Sequence, residues 1–437
     1  MTEVLRRGRA CLAFAFFVQG TAFALLVTRI PAIQDRYGVA DALLPAFLAA
    51  VPVLAGVGSV TTERLVRRVR PSRILRWSQP LVLLALLGAG AGHRMWQAAV
   101  ALGLFGLFVG ALDASMNMLG VSLQHAYGRS IMLGFHAAYS LGGILGASIA
   151  WAGAHWQLPL PATYLPVVLV LLPAALVGSG WYVDGPGHTA GHRPPTTSPP
   201  SPGTSPGAPE PPEPLASPDS PGSPGPPAAG PQAPVAFALL LPFCLVMAFA
   251  YIGDSTVSNW SAKYLQDVLG GSEQLSTLPY NVYMAMTLLG RALGDLGVRR
   301  FGAVAVVRCG TLVAALGFAV VAGAPGAWTG ILGFTLLGLG LCVLVPQTFA
   351  AAGRQAAERH GPGASDAAVA RLNVFNYVGF LVGSPLVGAL GDAWDYRAAM
   401  LVPMVLVLVT LCYAASFASG PARYGGGHER PRTVDVG

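Results

Sequence analysis

Residues 184–234 read DGPGHTAGHRPPTTSPPSPGTSPGAPEPPEPLASPDSPGSPGPPAAGPQAP and hold 18 of the chain's 36 prolines. Gly, Ser, Ala and Thr fill the spaces between them. Such a run buries too little apolar surface to offset its ordering entropy, and its prolines keep it semi-extended, so it reads as a disordered linker. Residues 1–183 and 235–419 are of another kind, with long apolar runs, few charges and many glycines. The organisation this implies is two membrane-embedded halves joined by a solvated tether, with a tail over 420–437. Function is expected between the halves.

The totals agree with that division. Of 437 residues, 54% are apolar and 10% charged, and the mean hydropathy is +0.58; soluble domains carry about 25% charged residues. The formal charge of +7 comes from arginines in short loops beside apolar runs, which fits anchoring at a membrane face better than a nucleic-acid surface. Lys263 is the only lysine among the 26 basic residues. Together with heavy Ala, Gly and Pro use, this suggests a GC-rich bacterial source. Cys11, Cys244, Cys309, Cys342 and Cys412 each lie in or beside an apolar run, with no CxxC or Cys/His cluster, so free thiols and no metal or cofactor are expected. The N-terminal MTEVLRRGRA precedes an apolar run too long for a signal-peptide core, so a retained first helix is expected.

A transmembrane helix needs about 20 mostly apolar residues. The first half supplies six candidate spans, at 11–33, 42–62, 72–92, 96–120, 131–154 and 161–183. The second supplies six more, at 235–258, 275–297, 301–323, 328–352, 367–390 and 397–419. The fold class is therefore an all-α polytopic membrane protein of twelve helices in two six-helix bundles. With the N-terminus inside, 20 basic residues fall on the cytoplasmic side and five opposite, with Arg291 inside a helix. Both termini and the linker are then cytoplasmic.

The halves echo each other. Span 5 carries FHAAYSLGGILGA (135–147) and span 11 carries FNYVGFLVGSPLVGA (375–389), with small residues spaced for close helix approach. Glu63 and Arg64 precede the pair Arg67 and Arg68, while GRALGD (290–295) precedes Arg299 and Arg300. Two parallel six-helix repeats predict a central cavity at their interface.

With these motifs in view, the chain resembles the major facilitator superfamily over nearly its full length. The loop after span 2 is a degenerate form of that superfamily's Gly-x-x-x-Asp-Arg-x-Gly-Arg-Arg signature, with Ser59, Glu63, Arg64, Arg67 and Arg68 at the matching positions. The runs GALDASMNMLG (110–120), GRSIMLGFHAAYSLGG (128–143) and DSTVSNWSAKYLQDVLG (254–270) look like its rhizopine-transport-like bacterial branch, distantly similar to fucose–proton symporters. Asp113 and Asn117 match the acid-then-asparagine pattern of span 4 in those symporters. Asp254 stands where that branch commonly has glutamate. The resemblance implies an alternating-access transporter and leaves the solute and direction open.

A charge at the bilayer centre costs about 2.5–3.5 kcal/mol on insertion scales, so each one needs a reason. Asp113 reads either as a proton-coupling carboxylate or as a helix-packing hydrogen-bond acceptor, with His136 in span 5 as its expected tuning partner. Asn117, one turn on, is a candidate solute contact, as are Gln19, Tyr139, Tyr283, Gln347, Asn373, Asn376 and Tyr377; each also reads as a packing residue. Arg29 and Asp254 are candidates for an outer gate, expected to approach each other when the outside is closed. Glu63, Arg64, Arg291 and Asp295 are candidates for inner latches, Arg291 and Asp295 being spaced to pair along one helix. No phosphate-binding Gly-x-x-x-x-Gly-Lys loop, nucleophile–base pair or metal-ligand set is present, so neither ATP-driven transport nor an enzyme is expected.

The expectation is a monomeric, proton-coupled symporter of a small, polar, sugar-like solute in a bacterial plasma membrane, with no nucleic-acid partner. Proton-antiport efflux of a drug or metabolite is the alternative, and a transport-inactive sensor the third reading.

Overall fold

A computed structural model describes residues 3–39, 44–184, 237–272, 275, 278–361 and 363–418. The linker beyond Asp184 and the tail over 420–437 lie outside the described residues. Ten of the described helices have the length and hydropathy of a membrane span: Glu3–Thr28, Pro71–Ala91, Met95–Tyr127, Met132–His155, Leu160–Trp181, Phe237–Val268, Ala303–Ala322, Ala327–His360, Ala364–Ala393 and Tyr396–Phe417. Leu44–Leu65 and Leu278–Phe301 complete the expected twelve. Numbered in chain order, they are spans 1 to 12. Span 8 is less apolar than the others because it carries Arg291, Asp295, Arg299 and Arg300.

The outer surface of the bundle matches a lipid setting. Leu169, Val170 and Val177 on span 6, and Leu312 and Leu316 on span 9, are exposed apolar side chains. Tryptophans mark the ends. Trp96, Trp151, Trp156, Trp328 and Trp394 are exposed at the face away from the termini, and Trp77 and Trp181 at the face bearing them, the placement interfacial aromatics take.

Inside a bilayer, helices associate by close packing, which favours small residues at crossings. The repeat is visible there. A Cβ on Gly142 of span 5 would lie 2.0 Å from the Phe17 carbonyl oxygen of span 1, and one on Gly379 of span 11 would lie 2.5 Å from the Ala248 oxygen of span 7. Likewise Gly110 of span 4 sits on the Ala55 carbonyl of span 2, and Gly338 of span 10 on the Tyr283 carbonyl of span 8. Pairs 1–5 and 2–4 in the first half thus reappear as 7–11 and 8–10 in the second. The halves meet along spans 2 and 11 and along spans 5 and 8.

Span 10 is broken between Ala327–Leu341 and Leu344–His360. Pro346 has no N–H to offer the Cys342 carbonyl four residues earlier. That free carbonyl is used in the site.

Candidate functional site

A cavity of about 250 Å³ lies between the halves. Spans 1, 4 and 5 give it Gln19, Asp113, His136 and Tyr139, and spans 7, 8 and 11 give it Tyr251, Asp254, Arg291, Asn376 and Tyr377. Its walls continue past the far end of span 1 to Ile30, Ile33, Gln34 and Val39, so it opens toward the face opposite the termini.

Asp113 is the hydrogen-bonding centre of the cavity floor. Gln19 Nε2 donates to its Oδ1 at 3.3 Å, Asn117 Nδ2 to the same oxygen at 3.5 Å, and the Tyr377 hydroxyl to Oδ2 at 3.0 Å. The Asn373 amide fits its surroundings when its nitrogen donates to Asp113 Oδ2 at 3.1 Å and its oxygen accepts from the Ala114 N–H at 3.3 Å. In that orientation the same nitrogen lies 2.7 Å from the Asn376 amide, which must turn its oxygen toward it to accept. Donors from span 1 and span 11 therefore converge on one carboxylate of span 4. The carbonyl oxygens Gln19 Oε1 and Asn117 Oδ1 are buried without a hydrogen-bond partner among the described residues. The amide network thus holds acceptor capacity in reserve.

The second half faces this centre with different chemistry. The Tyr283 hydroxyl donates to Asp254 Oδ1 from behind the cavity wall. Arg291 donates from Nη1 to Ser140 Oγ at 2.8 Å and from Nε to the Cys342 carbonyl at 3.5 Å, the carbonyl Pro346 leaves free. His136 is buried between Phe16 and Phe349, its ring centroid 5.3 Å and 6.3 Å from theirs, and its Nε2 has no partner among the described residues.

The sequence profile of the Major Facilitator Superfamily matches residues 12–361 and 243–432. The chain belongs to the Major Facilitator Superfamily. An uncharacterized MFS-type transporter of Yersinia pestis is 26% identical over 408 residues, covering 92% of this chain and 93% of the relative. Membrane protein MosC of Rhizobium meliloti is 23% identical over 418 residues, covering 93% and 89% respectively. Among solved structures, the MFS transporter FucP in its outward conformation superposes with a TM-score of 0.71 at 15% identity, covering 94% of this chain and 99% of that one. The human organic anion transporter MFSD10 (TETRAN) gives 0.71 at 13% identity, covering 95% and 100%. At these identities the likeness establishes the fold. The chain is a superfamily transporter, consistent with the family assignment made from the sequence.

In this superfamily chain the terminal face is closed by two crossed contacts. Glu63 of span 2 and Arg371 of span 11 form an ion pair with side-chain exposures of 15% and 24%, and Ser59 Oγ donates to the Ala370 carbonyl at 3.1 Å beside it. Across the pseudo-twofold, Asp295 of span 8 accepts from Ser130 Oγ at 2.6 Å and from the N–H groups of Leu133 and Gly134 at 3.3 and 2.9 Å. A carboxylate at the start of span 5 satisfies orphan donors and suits the helix dipole. Arg299 adds bonds to the Ser130 carbonyl at 3.1 and 2.6 Å.

The expected site residues are sorted by this geometry. Gln19, Asp113, His136, Tyr139, Asp254, Asn376 and Tyr377 share the cavity. Asn117 and Asn373 stand behind Asp113, and Tyr283 behind Asp254. Gln347 is buried on span 10 and is not part of the cavity wall. The helical spacing suggested that Arg291 would pair with Asp295, but the two take separate partners in the first half, because Arg291 turns into the cavity and Asp295 to the start of span 5. Arg29 donates to the Leu158 carbonyl at 3.0 Å and Asp254 accepts from the Tyr283 hydroxyl, so the two are not joined on the open side. Arg64 is exposed, with no ion-pair partner among the described residues. Tyr251, Ser140, Ser130 and Arg371 were not singled out from the sequence. Each is of a type that apolar runs and basic loops contain anyway, and only their partners distinguish them.

Proposed function

We propose that the chain is a proton-coupled symporter of a small polar organic solute, working by alternating access as a monomer in a bacterial plasma membrane. Its termini face the cytoplasm, in keeping with the split of basic residues, and the cavity then faces outward with the inner side latched. Asp113 is the proton site. The observation that carries this is the carboxylate at the cavity floor taking donors from both halves. One fold neighbour, the E. coli protein FucP, is a fucose:proton symporter, which supports the coupling mode.

The chemistry follows from counting donors. Ionised, Asp113 is an acceptor only, and four side-chain donors suit it. A proton on the carboxyl adds an O–H where donors already converge, so a contact must turn away. Rotating the Gln19 or Asn117 amide presents an oxygen that now lacks a partner and can accept that O–H. Losing the Tyr377 or Asn373 contact would instead release span 11 from span 4. Protonation thereby acts on the contact between halves, and access alternates with it. Carried with an uncharged solute, one proton crossing about 100 mV releases roughly 2.3 kcal/mol, enough for about 50-fold accumulation; carried with a monoanion the cycle is electroneutral and the proton concentration difference drives it.

The test is flux in proteoliposomes. A labelled metabolite panel first defines a transported solute, and Asp113→Asn is then compared with the parent. The variant should lose accumulation driven by a proton gradient while keeping solute exchange. Unchanged uphill transport would remove Asp113 from the mechanism, and accumulation driven by the opposite gradient would make the chain an exporter.

A further inference from the structure

Proton coupling through Asp113 leaves Arg291 without a task. A guanidinium inside a membrane bundle is expected to face a partner charge or a polar cavity. Arg291 faces the cavity, and its two bonded acceptors, the Ser140 hydroxyl and the Cys342 carbonyl, are both neutral. Five N–H donors are available on the fork, and these bonds engage Nη1 and Nε only.

Its position is built rather than incidental. Pro346 frees the carbonyl that holds Nε, and Ser140, which itself donates to the His136 carbonyl at 3.2 Å, holds Nη1. Two anchors, one from each half, fix the guanidinium plane and leave the Nη2 edge for a visitor. His136 adds a buried Nε2 without a partner on the same cavity.

We infer that the transported solute is a small organic carboxylate whose anionic group docks on Arg291. The inference rests on the transporter function proposed above and names its substrate class. With Nε taken by the Cys342 carbonyl and one Nη1 hydrogen by Ser140, a carboxylate can take the second Nη1 hydrogen and Nη2 in two parallel hydrogen bonds, which no hydroxyl of a neutral sugar can do. The charge count agrees. Asp113 and Asp254 oppose an incoming anion when ionised and stop doing so once protonated, so anion and proton favour each other's entry. Tyr139 and Tyr251 line the same cavity and offer their ring faces to the uncharged body of the solute.

The experiment is a thermal-shift measurement on the purified full-length chain in detergent, with no gradient present. Quinate, shikimate and benzoate are each tested beside their methyl esters, with glucose 6-phosphate and glucosamine as the phosphate and cation arms. At least one carboxylate should raise the melting temperature where its ester does not. Arg291→Gln should weaken that carboxylate's affinity by about tenfold to a hundredfold, and Arg291→Lys should restore part of it. Should Arg291→Gln fail to elute as a single species, Arg291→Lys and Ser140→Ala carry the comparison, each expected to lower affinity for the acid and leave the ester unchanged. Stabilisation by only the esters, the phosphate or the amine, by none of the carboxylates, or equally in Arg291→Gln would overturn the inference. Transport of a neutral solute that still depends on Asp113 would then stand, so the two proposals fail separately.

Discussion

The two halves share a scaffold and divide the chemistry. Gly142 on span 5 and Gly379 on span 11 play the same packing part against spans 1 and 7, and Gly110 and Gly338 repeat it between spans 2 and 4 and spans 8 and 10. The polar groups on those scaffolds are unlike. The first half presents one carboxylate, Asp113, on which four donors converge, whereas the second presents Asp254 and Arg291, the latter held by neutral acceptors with donor capacity to spare. Duplication thus preserves what lets helices slide and rock, while each copy is free to hold a different charge. In the proposed mechanism the satisfied half stores the proton and the unsatisfied half takes the solute.

The comparison breaks most severely at the shared packing. Gly142→Val puts a branched side chain where even a Cβ would be 2.0 Å from a backbone oxygen, so the helices must part. A loss of about 3 kcal/mol or more is expected. Gly379→Val meets its carbonyl at 2.5 Å and should cost somewhat less. Melting of the detergent-solubilised variants orders them, and a Gly142→Val protein as stable as its parent would contradict the proposed crossing.

The closed face gives the next effect. Each half lends one acid to the other, but Asp295 holds three donors and Glu63 one arginine. Asp295→Ala should therefore shift the closed-to-open balance by about 2 kcal/mol and Glu63→Ala by about 1 kcal/mol. The two should add, since they load the same equilibrium from separate places. Spin labels at the exposed Arg68 and Arg300 would report the change as a longer distance across the terminal face. A larger shift from Glu63→Ala would reverse the ranking of the latches.

A smaller effect tests the hub itself. Tyr377→Phe removes one of the four donors to Asp113 and leaves the aromatic wall in place. About 1 kcal/mol, or roughly a fivefold drop in proton-driven accumulation, is expected. Tyr283→Phe at Asp254 is the counterpart in the second half and should alter solute affinity more than coupling. Equal effects of the two on coupling would show that the halves share the proton.

Much of this architecture was legible in the residues. A proline-rich run between two sets of six apolar stretches leaves few other folds, and a carboxylate such as Asp113 in the middle of one stretch announces itself because its insertion is costly. The small-residue echo of spans 5 and 11 announced the repeat. What stayed hidden was pairing across the halves. Glu63 was visible as an acid at a helix end, yet nothing marks Arg371, near the start of span 11, out from the other arginines as the partner. Arg291 and Asp295 sit at pairing distance along one helix, and only the packing of span 8 against span 5 sends them to different tasks. Tyr251 is one aromatic among many in apolar runs. The use of Pro346 to free the Cys342 carbonyl needs both the break in span 10 and the reach of Arg291.

The smallest expected effect separates the signature from the contact. The loop after span 2 matches the superfamily's signature through Glu63 and Arg64, side by side in sequence, but only Glu63 reaches across to the second half. Arg64 is exposed, and an exposed arginine without an ion pair contributes little. Arg64→Ala should change the closed-to-open balance by less than about 0.5 kcal/mol. Arg371→Ala, outside the signature, leaves Glu63 half-buried without that cation and should cost about 1–3 kcal/mol. The same pair of spin labels, together with transport rate, reads both variants. If Arg64→Ala opens the terminal face as far as Arg371→Ala does, the arginine of the signature is part of the latch, and the contact between the halves is wider than the Glu63–Arg371 pair.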